Sequence, residues 1–167
     1  MANGILKVGE ITTSSGSGNI TIGSGVTLNS NTPAFRATEG DQSLSNSAAT
    51  KLTFNTVDFD TDSAFSTSTY RFTIPTGKAG KYYFETYLEI PGIDDGEYGQ
   101  IYLRVNDTTS YNVVRVYMSG TNQIFRQVCS SILNLNVGDF VEAYAYQNSG
   151  GSQTAVSIYF SGFRIGA

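Results

Sequence analysis

From Pro33 onward, short stretches in which every second residue is apolar alternate with short stretches rich in Gly, Asn, Asp and Ser. In Gln100–Val105 the residues Ile101, Leu103 and Val105 share one face of an extended strand, because successive strand side chains point to opposite sides. That face belongs in a core. Turn-forming clusters recur roughly every eight to twelve residues. They are Glu39-Gly40-Asp41, Asp60-Thr61-Asp62, Pro75-Thr76-Gly77, Gly92 to Gly96, Asn106-Asp107, Ser119 to Asn122, Asn136 to Asp139 and Asn148 to Gly151. No convincing helical period appears. The pattern predicts an all-β sandwich or barrel.

Two strands carry apolar side chains on both faces. Between Lys81 and Ile90, one face holds Tyr82, Phe84, Leu88 and Ile90, and the other holds Tyr83 and Tyr87 among Lys81, Glu85 and Glu89. Between Phe140 and Tyr146, the residues Val141, Ala143 and Ala145 oppose Phe140, Tyr144 and Tyr146. A sandwich of this size has one interior, so a second aromatic face is expected to meet another subunit, where tyrosine is favoured for its apolar body and polar tip. Tyr83, Tyr87, Phe140, Tyr144 and Tyr146 are therefore the candidate contact residues. The alternative is that these rings lie under loops of a monomer.

Residues 1–32 differ in kind. Gly/Ser runs separate the short alternating pieces Ile20-Thr21-Ile22 and Val26-Thr27-Leu28, which hold too little apolar area for a core of their own. They read as an attachment arm or stalk, with Ile20, Ile22, Val26 and Leu28 as the docking residues, or else as a linker. Residues 33–167 form the expected domain.

Composition narrows the chemistry. Apolar residues make up 40% of the 167, charged residues 14%, and there are 11 Tyr, 10 Phe and no Trp. Aromatic rings suit a pleated, half-buried surface. A formal net charge of -4 with scattered basic residues argues against a nucleic-acid binder, which needs clustered Lys and Arg. No run of about 18 apolar residues is present for a membrane span, and the first residues lack the apolar core of an export signal, so the chain is expected to stay where it is made.

The absence of histidine removes His-based triads and the usual zinc sites. Paired carboxylates could still serve a glycosidase, but no assembled pair is legible, and no phosphate-binding loop is present. Asp58, Asp60 and Asp62, and separately Asp94 and Asp95, are the candidate calcium ligands; hard cations want about six to eight oxygens, and ordinary solvated turns are the competing reading. The single Cys129 allows no internal disulfide and reads as a small buried residue. No cofactor is implied.

Six short pieces then line up in order: Pro33 to Ala37, Lys51 to Val57, Tyr70 to Pro75, Gly80 to Phe84, Asn136 to Val141 and Tyr159 to Ile165. Together they resemble the globular head of complement component 1q and its relatives of the tumour necrosis factor type, over roughly residues 33 to 167. Phe35, Phe54, Phe72, Pro75, Gly80, Tyr82, Phe84, Gly138, Asp139, Phe160, Gly162 and Phe163 carry the match. The resemblance implies a jelly roll of about ten strands, a tight homotrimer, and work by binding rather than catalysis. The collagen-like stalk, disulfides and export signal of the secreted animal members are missing.

Residues 4–22 also look like the start of virion proteins of tailed bacteriophages. That likeness implies a non-enzymatic virion protein, a trimeric fibre, spike or capsid decoration. Its arm would dock on capsid or tail proteins, and its head would meet a host-surface glycan or protein or stabilise the capsid. A carbohydrate-binding or carbohydrate-cleaving jelly roll and a spore-surface protein of the same fold are the alternatives.

Overall fold

The computed structural model describes residues 32–166, together with Ser24. The strands are β1 (Ala34–Leu44), β2 (Thr50–Lys51), β3 (Thr56–Asp60), β4 (Phe65–Ser66), β5 (Arg71–Thr73), β6 (Gly80–Ile93), β7 (Tyr98–Val105), β8 (Thr109–Tyr117), β9 (Gln123–Leu135), β10 (Phe140–Gln147) and β11 (Gln153–Gly166). They form two antiparallel sheets, one in the order β3-β1-β11-β6-β9 and one in the order β4-β5-β10-β7-β8, with β2 on β10. This is the expected all-β jelly-roll sandwich, and among the described residues no helix is long and apolar enough to cross a membrane. The arm residues Ile20, Ile22, Val26 and Leu28 lie outside the described residues.

The core lies between the sheets and is centred on Phe35. Its ring stacks on Phe72 at 4.6 Å and Phe65 at 5.2 Å and meets Phe160 edge-on at 4.9 Å. Tyr82, Phe84, Leu88 and Ile90 on β6, and Ile101, Leu103 and Val105 on β7, point into this core as their alternation predicts. Burying one such ring contributes about 1.5–3 kcal/mol, so the centre holds the two sheets together.

Close packing fixes which residues can be small. A Cβ at Gly162 would lie 2.6 Å from the Phe84 ring and 2.9 Å from the Tyr83 carbonyl oxygen, which explains a glycine opposite Phe84 on β11. Two turns at one end are cross-linked. Asn106 and Asp107, both at positive φ, close the β7–β8 hairpin in the manner of a type I′ turn. Asn106 donates its side-chain amide to Asp139 Oδ1 at 2.8 Å and accepts the Phe140 N–H at 2.9 Å. Asp139 also accepts the Asn136 N–H at 2.8 Å, closing the Asn136–Asp139 turn in which Gly138 takes φ 86.

One expected turn is absent. Glu39-Gly40-Asp41 lies within β1, which pairs with β11 on both sides of Gly40. The Gly and Asp that signal a turn are here absorbed by a local irregularity: Ser157, opposite Gly40, adopts φ 55, and the β11–β6 register shifts between Val156 and Tyr159.

Candidate interaction surface

The outward face of the five-stranded sheet is built in rows. Across neighbouring strands Ala34, Phe163, Tyr83 and Ile132 are in register, then Phe59, Arg36, Ser161, Glu85 and Ser130, then Thr38, Tyr159, Tyr87 and Val128. Large apolar groups stand exposed on it: Ile132 is 63% exposed, Ile165 50%, Phe163 49%, Phe59 48% and Val128 44%. A shallow groove runs between Phe59, Tyr83 and Phe163. An exposed apolar area of this kind on a folded domain marks a contact surface.

The polar groups on this face are internally satisfied. Glu85 accepts the hydroxyls of Tyr83 and Tyr159, each at 2.7 Å, and Glu89 accepts Tyr87 at 2.7 Å and Arg126 Nε at 2.9 Å. Burial, aided by the bond to Glu85, pushes the Tyr159 hydroxyl up to about 12. The bond to Glu85 raises Tyr83, and the bond to Glu89 raises Tyr87. Glu89 is held below the usual carboxylate range, first by Tyr87 and then by Arg126. Arg36 lies 4.6 Å over the Tyr159 ring and pairs with Asp58 at 3.0 Å. Tyrosines fixed in this way present preformed rings, so little side-chain freedom remains to be lost on contact.

The outward face of the six-stranded sheet is different. Glu142, fully buried, accepts Arg71 Nη2 at 2.9 Å and pairs with Lys51. Arg71 lies 3.8 Å over the Phe140 ring, and Arg104 lies 4.1 Å over Tyr144, which stacks on Tyr102 at 5.7 Å. Burial raises the hydroxyls of Tyr102 and Tyr144. Farther along, Tyr98 stacks on Tyr146 at 5.5 Å with Arg115 at 4.8 Å over it. With its amide oxygen turned to Arg115, Gln100 accepts Nη2 at 2.6 Å and Nε at 2.5 Å.

The five expected contact residues therefore do not form one patch. Tyr83 and Tyr87 lie on the five-stranded face, while Phe140, Tyr144 and Tyr146 lie on the opposite one, where arginines and other tyrosines of the same chain cover them. Sequence reading missed the apolar stripe Ile124, Val128 and Ile132 of β9. Its signal was available, since these alternate with the buried Phe125, Cys129 and Leu133.

The acidic candidates are each engaged locally. Asp58 pairs with Arg36, Asp60 accepts the Phe65 N–H at 2.8 Å, and Asp62 accepts the Thr61 hydroxyl at 2.8 Å. Asp94 and Asp95 accept the N–H groups of Asn122 and Gly120 and so tie the β6–β7 loop to the β8–β9 loop. Among the described residues no three His, Cys, Asp or Glu side chains converge as a metal-binding group would. Cys129 is fully buried, its Sγ donates to the Asn112 carbonyl at 3.0 Å, and burial pushes its thiol up to about 11.

Two antiparallel sheets in this order, packed around an aromatic centre, define a jelly-roll sandwich. The C1q domain model matches residues 34–165, and the chain belongs to that family. Among solved structures, the globular domain of zebrafish complement 1qA superimposes with a TM-score of 0.60 at 19% identity, covering 81% of this chain and 98% of that one. The vertex protein P5 of phage PRD1 superimposes with a TM-score of 0.60 at 16% identity, covering 83% of this chain and 100% of that one. No curated protein matches the chain in sequence.

Proposed function

We propose that the chain is a non-enzymatic structural protein of a tailed-phage virion, a homotrimeric fibre, spike or capsid decoration. Residues 1–32 dock it on the particle, and the C1q-like domain stands outward to meet the host surface or stabilise the capsid. The observation that carries the reading is the pairing of this fold, which a phage vertex protein also adopts, with an exposed apolar outward face on the five-stranded sheet.

In the trimer that face, with Tyr83, Tyr87, Ile132 and Phe163, meets the next copy. A closed threefold ring joins unlike patches, so one copy's sheet face packs against a different edge of its neighbour. The test is composition of purified particles. The reading predicts the protein in intact virions and its loss from them when residues 1–32 are deleted, while residues 33–167 stay folded and trimeric. Absence from particles, or undiminished incorporation of the truncated chain, overturns it.

A further inference from the structure

The groove between Phe59, Tyr83 and Phe163 has the size of a side chain rather than of a ligand. Its volume is about 260 Å³, below the roughly 300–1,000 Å³ of small-molecule sites. Small residues, Ala34 and Ser161, lie between its walls. Those walls are rings: Tyr83 and Phe163 lie 5.5 Å apart on one side, and Phe59, 48% exposed on the edge strand β3, stands on the other. The opposite edge of the sandwich carries a matching projection. There β9 ends the five-stranded sheet and β8 ends the six-stranded one, and Asn112 of β8 bonds to both Cys129 and Ser130 and so holds the two edges together. Beside this link Ile132 is 63% exposed and Tyr111 38%. Tyr111 pairs with the inward-facing Leu103, so its side chain points to the seam between the sheets rather than to the six-stranded outward face.

We propose that Ile132 and Tyr111 of one copy form a ridge that enters the Phe59–Tyr83–Phe163 groove of the next, so that each groove is completed by a neighbour's side chains. The proposal rests on the homotrimer reading above and names the edge and the anchor residues of that contact. Height supports it. Rotation about an axis leaves height along that axis unchanged, so residues that touch across a cyclic contact lie level with one another. The exposed stripe Ile124, Val128 and Ile132 follows β9 for about 26 Å and sets the axis along the strands. Along it Ile132 is level with Tyr83, Phe163 and Ala34, while Ser130, bonded to Asn112 next to Tyr111, is level with Glu85, Ser161, Arg36 and Phe59. Ridge and groove occupy the same rows.

Direction supports it as well. Two patches joined by a threefold rotation face about 60° apart on a single copy, which suits a sheet face and the rounded edge beside it and rules out two opposite faces. The groove borders β3 and the ridge belongs to β9 and β8, at the other side of the sheet, so one copy holds a neighbour on each side. Val113 and Tyr117 are also exposed on β8, but they alternate with the inward Val114 and Val116 and so point away from the five-stranded face.

The test replaces Tyr111 of the full chain with the photoreactive p-benzoylphenylalanine and maps the cross-links by mass spectrometry after illumination. The proposal predicts covalently joined copies with the attachment at Phe59, Ser161 or Phe163, and the reciprocal replacement of Phe59 labels β8 and β9 of another copy. Tyr111→Ala raises the concentration at which the assembly dissociates about thirtyfold, the loss expected for a central aromatic anchor. If the bulkier residue at position 111 disturbs folding, the replacement at the half-exposed Phe59 decides the matter. In a chain that light scattering shows to be trimeric, cross-links that map elsewhere, or a Tyr111→Ala trimer as stable as wild type, overturn this contact and leave the homotrimer standing. A single-subunit mass with cross-links only inside one copy overturns both.

Discussion

The two outward faces of the sandwich are both rich in tyrosine, yet they solve the same problem differently. On the six-stranded sheet, Tyr102 and Tyr144 are 6% and 9% exposed, stacked on each other with Arg104 over both rings. On the five-stranded sheet, the tyrosine hydroxyls are tied to Glu85 and Glu89 while Ile132, Phe163 and Phe59 remain exposed. Across β5, β7 and β10 one face is covered by its own chain, with Val113 and Tyr117 exposed only on its edge strand β8, whereas the other is left open across its central strands. Aromatic content alone therefore does not mark an interface, and what distinguishes the two faces is whether the apolar area already has intrachain cover.

The largest effect expected from this contrast falls on Glu142. Glu142→Ala removes a fully buried carboxylate and leaves Lys51 and Arg71 facing each other, at a cost of about 3 kcal/mol in denaturant unfolding. Glu85→Gln, on the half-exposed opposite face, leaves the unfolding midpoint of the subunit near wild type. Equal losses at both positions would erase the distinction.

Gly162→Ala comes next, at about 2 kcal/mol, because its Cβ meets the Phe84 ring and the Tyr83 carbonyl. It strikes the backbone that carries both the core and the five-stranded face. The expected result is a lowered melting temperature together with weakened assembly, and an unchanged melting temperature would show that β11 can shift to admit the methyl group.

A smaller effect, under about 1 kcal/mol, concerns Asp139. Its bonds from the Asn106 amide and the Asn136 N–H hold its carboxyl below the usual range. A depressed folded value means that the stability it contributes is present above the unfolded pKa and is lost as pH falls through the folded one. The stability difference between wild type and Asp139→Asn should therefore be full near neutrality and shrink between about pH 5 and pH 2. A difference that is constant with pH would contradict the assignment.

The smallest change is expected at Cys129. With its thiol pushed up to about 11 and no exposure, it should resist aromatic disulfide reagents in the assembled protein and equally in a dissociated subunit. Labelling of native subunits would mean that loss of the five-stranded contact opens the β8–β9 edge, and the two faces would then not be independent.

Most of the fold was legible because alternation is a local signal. Ile101, Leu103 and Val105, or Tyr82, Phe84, Leu88 and Ile90, declare their inward face without reference to the rest of the chain. Glu39-Gly40-Asp41 misled because the same residues that make turns also make strand irregularities, and only the partner strand decides between them. The candidate surface was half legible. The parity of Phe140, Tyr144 and Tyr146 was read correctly, but their cover comes from Arg71, Arg104 and Tyr98, whose strands are brought alongside only by the folded sheet. Glu142 reads as an ordinary outward charge until Lys51 and Arg71 close over it.

An arrangement in which other copies of the chain cover the five-stranded face predicts, in light scattering of the full chain at micromolar concentration, a mass of about three times the 18.0 kDa subunit. It also predicts the single-subunit mass, with the fold retained, for Ile132→Asp combined with Phe163→Asp, because unpaired carboxylates would be trapped in that contact. A wild-type mass of one subunit, or a trimer that survives both substitutions, would contradict it.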